Sequence, residues 1–287
     1  MPAPNEITIS NLQRLIGTPD CPAIVDISID PDFDEDPYFI PGSFRHPHTD
    51  KRGLVERLDG RACVITCQRG IKLSQGLVAW LRTEGVQAEY LSGGMYAWRD
   101  TPGTLRIPAG SIPEPVDGAT LWVTRHRPKI DRIACPWLIR RFVDPKARFL
   151  FVSPVEVEGV ASRYGATPFD IENVHFSHHG ECCTFDTMLE TFELKSAALE
   201  RLADVIRAAD TNRHDLSPQA AGLLAVSVGL SRQYSDDVKQ LEAGMTVYDA
   251  LYRWARDGFE EGHDWVPSSG SASAPASPSA TKAEPWS

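Results

Sequence analysis

The sequence has little positive charge: 29 lysines and arginines face 39 aspartates and glutamates, which gives a formal net charge of −10. Nucleic acids and anionic membranes attract proteins with a basic face, so this balance disfavours both as principal partners. No apolar run reaches transmembrane length, and residues 1–6 show neither the charged nor the apolar region of a signal peptide. We therefore expect a cytoplasmic protein.

Cysteines are also few, with six in 287 residues, and they are too dispersed for a disulfide framework. Cys67 stands apart because it ends a hydrophobic strand pattern over 61–66, and a helix pattern begins near Leu73. Unpaired N–H groups and the dipole at a helix start favour a thiolate. Lys72 adds a cation suited to an anionic substrate. The alternative is that Cys67 is a buried packing residue.

The order of predicted elements defines the domains. Over residues 5–108, short buried strands alternate with helices, which predicts an α/β domain whose parallel sheet has helices on both faces. Proline and glycine break up residues 109–118, an extended linker. Residues 119–262 predict a mostly helical α+β domain, in which the segment 220–230, apolar nearly all round, is expected to be a central helix. Residues 263–287 are rich in Ser, Ala and Pro and are predicted to be disordered.

A basic stretch opens the second domain. Arg125, Lys129 and Arg132 are candidates for an anion-binding surface, since arginine forks suit oxyanions. Alternatively, these side chains form a solvated face that pairs with the excess carboxylates.

A second stretch is dense in possible metal ligands. Residues 173–179 alternate as a strand and run into a segment that supplies, in all, three histidines, one glutamate and two cysteines. A divalent metal site would join His178 to Glu181 across the turn, with a carboxylate such as Asp210 or Asp131 arriving from elsewhere. The alternative is a half-exposed polar strand with one packing cysteine.

The first domain resembles a single rhodanese domain. The resemblance rests on four motifs in order: Ile24-Val25-Asp26, Ile40-Pro41-Gly42-Ser43, Cys67-Gln68-Arg69-Gly70-Ile71-Lys72-Leu73-Ser74 and Leu91-Ser92-Gly93-Gly94-Met95-Tyr96-Ala97-Trp98. It implies that Cys67 takes sulfane sulfur from a small anionic donor such as thiosulfate, holds it as a persulfide and passes it to a thiol acceptor, without a cofactor. Residues Gln68, Arg69, Gly70, Ile71 and Lys72 would form the substrate loop. The compact loop resembles sulfur-transferring members, whereas phosphatase and arsenate-reductase relatives carry a longer loop ending in arginine.

The second domain resembles the C-terminal domain of the chromate-resistance protein B family over about residues 120–257. The matching motifs are residues 122–125 and 128–142, Phe176-Ser177-His178, Cys183-Thr184-Phe185-Asp186 and Ala209-Asp210-Thr211. The family implies a setting in chromate resistance, with chromate as a candidate ligand and, in some members, chromate-responsive regulation of an efflux transporter.

Two functions from different classes follow. The first is a sulfurtransferase enzyme acting in chromate or metal-oxyanion stress. The second is a non-catalytic sensor in which the second domain detects chromate or a metal. A DNA-binding regulator is disfavoured by the acidic balance and by the lack of a recognisable helix-turn-helix pattern.

Overall fold

The structure is a computed structural model that describes residues 5–262. The tail predicted over residues 263–287 therefore lies outside the described residues. The elements of the first domain are β1 (Glu6–Ile7), α1 (Ile9–Leu15), β2 (Ala23–Asp26), α2 (Asp30–Asp34), β3 (Tyr38–Phe39), β4 (Ser43–Arg45), α3 (Lys51–Leu58), β5 (Cys63–Thr66), α4 (Lys72–Thr83), β6 (Ala88–Leu91), α5 (Gly94–Asp100) and β7 (Ile107–Pro108).

A five-stranded parallel sheet forms the centre of this domain. Its strand order is β1-β6-β5-β2-β4, and β3 and β7 form a separate antiparallel pair. Strands β2 and β5 are buried along their whole length, as expected for short apolar strands covered on both faces. The predicted α/β class is confirmed, and the order places β5, which leads to Cys67, in the middle of the sheet.

The second domain combines a small parallel sheet with a helical layer. Its elements are β8 (Leu121–Arg125), α6 (Asp131–Leu138), a π-helical turn (Ile139–Val143), β9 (Arg148–Val152), α7 (Val157–Tyr164), β10 (Thr167–Pro168), α8 (Thr184–Thr191), α9 (Ala197–Asp210), α10 (Ala220–Gln233) and α11 (Asp237–Asp257). The three strands pair in the order β10-β8-β9. Within residues 5–262, no helix is both long enough and apolar enough to cross a membrane.

Two local predictions in this domain are wrong. Residues 173–179 form turns instead of a strand, with only isolated bridges from Phe176 and His179. Asn173 has φ 61°, which is incompatible with an extended strand. Helix α10 is not central: it packs on α9 and α11 and leaves Val226 and Val228 46% and 40% exposed. An apolar sequence does not determine which elements a helix packs against, or how many of them there are.

The two domains share one hydrophobic core. A single cluster of buried side chains includes Leu12 and Trp98 of the first domain together with Trp122 and Phe142 of the second. The approach is close enough that a Cβ added to Gly17 would lie 2.5 Å from Cζ of Phe142. The Lys146 ammonium also donates to the Arg57 carbonyl at 2.9 Å. The segment between the domains therefore connects two units that pack directly on each other.

Candidate functional site

Cys67 lies immediately after the central strand β5, and its residue is 5% exposed. Its Sγ is 3.4 Å from Oγ of Ser74, the third residue of α4. No side chain caps the amino end of α4, so its first N–H groups stay available to a ligand. The thiol therefore lies at the amino end of a helix, where amides and dipole stabilise negative charge on sulfur.

Two glycines let the loop backbone pack against the turn that starts α5. The Met95 N–H donates to the Cys67 carbonyl and the Tyr96 N–H donates to the Gln68 carbonyl, both at 3.0 Å. Gly70 and Gly94 have φ of 66° and 62°, the left-handed region that favours glycine. A Cβ on Gly94 would lie 2.2 Å from the Cys67 carbonyl oxygen, and one on Gly70 would lie 2.5 Å from the Gly94 nitrogen. The shape of the loop thus depends on both glycines.

The rim of this loop carries charges of both signs. The Gln68 amide donates to Glu35 at 2.9 Å, and the Tyr96 hydroxyl donates to the same carboxylate at 3.0 Å. The Arg69 guanidinium lies 6.0 Å from the Tyr96 ring centroid. Lys72 is exposed. Two cations are therefore available to an anionic donor, while Glu35 anchors the loop and the neighbouring helix.

Ile71, by contrast, contributes mainly backbone to the loop. Its side chain is 52% exposed, and its carbonyl accepts from the Ser74 hydroxyl at 3.2 Å. Sequence reasoning did not assign site roles to Glu35, Ser74 or Tyr96. The Gly93-Gly94 turn near Tyr96 was the available signal for that residue, whereas Glu35 lies 33 positions from its partner Gln68.

A second cluster of ionisable groups is built around His178. Its Nε2 lies 3.2 Å from Oδ2 of Asp210, 3.4 Å from Oδ1 of Asp170 and 3.5 Å from Oδ2 of Asp131. Asp131 is the first residue of α6, Asp170 follows β10, and Asp210 is the last residue of α9. Four distant segments thus bring three carboxylates to one imidazole.

Burial and charge act together on this cluster. Burial, reinforced by the negative Asp210 and Asp170, holds the pKa of Asp131 well above its usual value. Contacts with Asp170 and Asp210 raise the pKa of His178 to about 10. Burial alone would raise the pKa of Asp170, but the contact with His178 and the charges of Arg132 and Arg125 outweigh it and lower that pKa.

The backbone before Asp131 adopts an uncommon conformation. Ile130 has φ 39°, which a β-branched residue rarely adopts. Its N–H donates to Ser227 Oγ at 3.2 Å, and its carbonyl accepts from the Tyr248 hydroxyl at 3.1 Å. Contacts from α10 and α11 therefore hold the turn that directs Asp131 towards His178. Such a conformation persists only where the surroundings impose it.

The predicted anion-binding residues separate in the structure. Arg125 and Arg132 both contact Oδ2 of Asp170, at 3.1 and 3.2 Å, whereas Lys129 is exposed. Two of the three cations thus contact the same carboxylate. This arrangement favours the alternative in which the basic stretch pairs with acidic residues.

The predicted metal ligands are only partly brought together. His178 and Asp210 are in contact, and Asp131, named as an alternative carboxylate, joins them. Glu181 is exposed and does not belong to the cluster. Asp170 completes the set, and sequence reasoning missed it because its loop carries no motif. The neighbouring Cys183 is buried, and burial raises the pKa of its thiol.

Comparison with known proteins shows what the second domain is similar to. Residues 122–255 match the family model described as ChrB, C-terminal domain. The second domain is thus similar to this family over residues 122–255, and we call it the ChrB domain. Protein ChrB of Cupriavidus metallidurans (strain CH34) is 33% identical over 168 residues, which cover 54% of this chain and 50% of that protein. The chain thus spans about half the length of this curated relative.

Solved structures similar to part of this chain include two sulfur-related proteins. Thiosulfate sulfurtransferase from Pseudomonas aeruginosa matches with a TM-score of 0.31 and 22% identity, covering 37% of this chain and 20% of that one. A rhodanese-like domain protein from Staphylococcus aureus matches with a TM-score of 0.27 and 25% identity, covering 35% of this chain and 95% of that one. The first domain has the predicted parallel sheet, with a cysteine loop after the central strand.

The ChrB domain contains the whole His178 cluster. Asp131, Asp170, His178 and Asp210 all lie within the matched residues 122–255. Two further arginines of this domain are also paired, since Arg140 contacts Glu242 at 2.6 Å and Arg141 contacts Asp249 at 2.7 Å. The ChrB domain therefore joins a largely neutralised basic stretch to a concentrated acidic cluster.

Proposed function

We propose that this protein is a sulfurtransferase that carries sulfur as a persulfide on Cys67 and acts in resistance to chromate or related metal oxyanions. One observation supports the proposal above all: the Cys67 sulfur lies after the central strand, 3.4 Å from Ser74 and at the uncapped amino end of α4. That position suits a nucleophilic thiolate and an anionic persulfide alike.

The chemistry requires no cofactor. The Cys67 thiolate attacks the sulfane sulfur of thiosulfate, a new S–S bond forms, and sulfite leaves with the electron pair of the broken S–S bond. A thiolate or cyanide acceptor then takes the outer sulfur, and Cys67 returns as a thiolate. The amides at the start of α4 stabilise the negative charge that develops on sulfur. Arg69 and Lys72 attract the anionic donor.

Placing this reaction in chromate resistance rests on the ChrB domain. The likeness of residues 122–255 to ChrB supports a shared biological setting, and the packing of both domains into one core supports action as a unit. The sulfur acceptor is a thiol of a small molecule or of a partner protein.

The test is a thiosulfate and cyanide assay on the full chain, with thiocyanate as the product. Cys67→Ser should reduce the rate to background, whereas Cys182→Ser, which removes an exposed thiol, should keep it. Intact mass after incubation with thiosulfate should increase by one sulfur atom only where Cys67 is present. If thiocyanate formation does not depend on Cys67 with thiosulfate or with any other persulfide donor, the enzyme proposal fails.

A non-catalytic sensor is the second candidate, and the His178 cluster is the observation that favours it. A sensor predicts binding of chromate or a metal to the full chain without Cys67-dependent thiocyanate. Binding of chromate or a metal together with Cys67-dependent thiocyanate formation would show that the two functions coexist.

A further inference from the structure

We propose that Asp131, Asp170 and His178, with Asp210 beside them, form a binding site for one divalent first-row transition metal ion. The proposal concerns the ChrB domain and is independent of sulfur transfer at Cys67. Glu181 is not among its ligands.

The strongest evidence is a buried carboxylate oxygen without a partner. The Asp131 side chain is completely buried. Its Oδ2 accepts from the Thr184 N–H at 2.6 Å, but Oδ1 has no hydrogen-bond partner among the described residues. A buried carboxylate oxygen that has lost its water and gained no donor is costly. The oxygen that faces His178 is Oδ2, so a cation held by both oxygens of Asp131 would supply the interaction that Oδ1 lacks.

The distances between the donor atoms match the spacing of metal ligands. Two neighbouring ligand atoms bound to one ion at about 2.0–2.2 Å lie about 2.8–3.6 Å apart, with octahedral geometry at the short end and tetrahedral geometry at the long end. The three contacts of His178 Nε2 are 3.2, 3.4 and 3.5 Å. One donor atom each from Asp131, Asp170 and His178 also lies within 4.8 Å of the others. A direct hydrogen bond between an imidazolium and a carboxylate is shorter, at about 2.7–2.9 Å.

One imidazole nitrogen cannot satisfy three carboxylates by hydrogen bonding. A ring N–H makes one good hydrogen bond, yet Nε2 of His178 has three carboxylate oxygens at similar distances. A metal ion between Asp131, Asp170 and His178 would interact with all three at once, and the charge of Asp210 next to His178 would favour the cation. The imidazole is then a neutral ligand, and the ion's charge stabilises the carboxylates.

The surrounding residues orient the carboxylates as outer-shell partners do in metal sites. Thr184 contributes both its N–H, to Asp131, and its hydroxyl, which donates to Oδ1 of Asp170 at 3.0 Å. Arg125 and Arg132 contact the other oxygen of Asp170 and so keep Oδ1 facing His178. Hydrogen-bonded ligating carboxylates of this kind are typical of metal centres.

The ligand chemistry selects the class of ion. A nitrogen ligand with carboxylate oxygens suits Zn²⁺, Mn²⁺ or Fe²⁺, whereas Mg²⁺ and Ca²⁺ prefer oxygen ligands throughout. The His178 side chain is 41% exposed and that of Asp210 is 20% exposed, so the site opens to solvent on their side. An ion can therefore enter without unfolding the domain.

The experiment uses the full chain, stripped with a chelator and titrated with Mn²⁺ or Zn²⁺ by calorimetry, with metal content measured after dialysis. Mn²⁺ is included because thiolates such as that of Cys67 bind it poorly, so Mn²⁺ binding cannot be attributed to a cysteine. We expect one equivalent for wild type and affinity at least about tenfold weaker for His178→Ala and Asp131→Asn. His179→Ala and Glu181→Gln are matched controls from the same segment and should bind as wild type does. Bound metal should raise the thermal unfolding midpoint of wild type and of the two controls, and it should leave that of His178→Ala and Asp131→Asn unchanged.

Two results would overturn the proposal. One is the absence of stoichiometric binding of either ion to wild type. The other is binding that survives in His178→Ala and Asp131→Asn. Because removing a buried charge can alter folding, Asp210→Asn, at a partly exposed position beside His178, provides a third variant and should also weaken binding, since it removes a nearby negative charge. Cys67-dependent thiocyanate formation should persist in His178→Ala, which separates this test from that of the proposed function.

Discussion

Replacing Gly94 with alanine should disrupt the Cys67 loop without touching any catalytic side chain. The added Cβ would lie 2.2 Å from the Cys67 carbonyl oxygen and 2.3 Å from the Gly70 nitrogen. Both atoms belong to the backbone, so neither can rotate away as a side chain would. The loop must move, and the Met95 N–H to Cys67 carbonyl hydrogen bond of 3.0 Å is the first contact affected.

The cost can be built from three contributions. Holding alanine in the left-handed region costs about 1–2 kcal/mol. Losing the hydrogen bond costs about 1 kcal/mol, and forcing an extra methyl group into a packed site costs roughly 1–3 kcal/mol. Gly85→Ala is the matched control, since Gly85 has φ 80° but no atom within 4 Å of its added Cβ. Gly85→Ala bears only the cost of the left-handed conformation, so the free energies of unfolding of the two variants should differ by about 2–4 kcal/mol.

Urea unfolding of both variants measures that difference directly. The smaller entropy of alanine in the unfolded chain stabilises both variants alike and cancels in the comparison. Gly94→Ala should also slow thiocyanate formation, because the loop that positions Cys67 has shifted, whereas Gly85→Ala should keep the wild-type rate. Equal losses of unfolding free energy in the two variants would refute the argument that backbone contact at Gly94 defines the loop.

Two further predictions concern thiols of the first domain. In the structure the Cys67 thiol donates to Ser74 Oγ at 3.4 Å and the Ser74 hydroxyl donates to the Ile71 carbonyl; when the thiol ionises, the hydroxyl can turn and donate to the sulfur. Since a hydrogen bond to a charged group contributes about 1.5–3 kcal/mol, Ser74→Ala should slow thiocyanate formation about tenfold or more. A wild-type rate in a folded Ser74→Ala protein would contradict this role. Burial raises the pKa of Cys63 from 9.0 to about 12, so the unfolded chain loses this proton first and stability falls as pH rises from 9 towards 12. The unfolding free energy, measured from pH 9 towards pH 12, should decline less steeply in Cys63→Ala than in wild type or in Cys182→Ala. Identical slopes would count against a raised pKa of Cys63.

The first site could be predicted because its parts are contiguous. A buried strand, a cysteine, a short loop and a helix start all lie between residues 63 and 74, and each follows from local patterns. The Gly93-Gly94 turn was visible as well. What the sequence did not show is that Glu35 binds both Gln68 and Tyr96, because that contact joins residues far apart in the chain.

The second site depended on packing that no local pattern encodes. Nearness in sequence suggested that Glu181 would join His178, yet the turn between them leaves Glu181 exposed. Asp170, without a motif, lies in the cluster because β10 pairs with β8 and carries the chain past α6. The apolar pattern of α10 likewise predicted a helix correctly but placed it wrongly.

The sequence by itself determined the α/β class of the first domain, the position of Cys67 between a buried strand and a helix, and the ChrB likeness of the second domain, since these follow from short patterns and motifs. The tertiary structure alone decided which carboxylates surround His178 and that both domains share one core. The physical reason is the range of the interactions. Strand and helix propensities act between neighbours in the chain, whereas a cluster of three carboxylates is held in place by helices and loops that meet only when the whole chain packs.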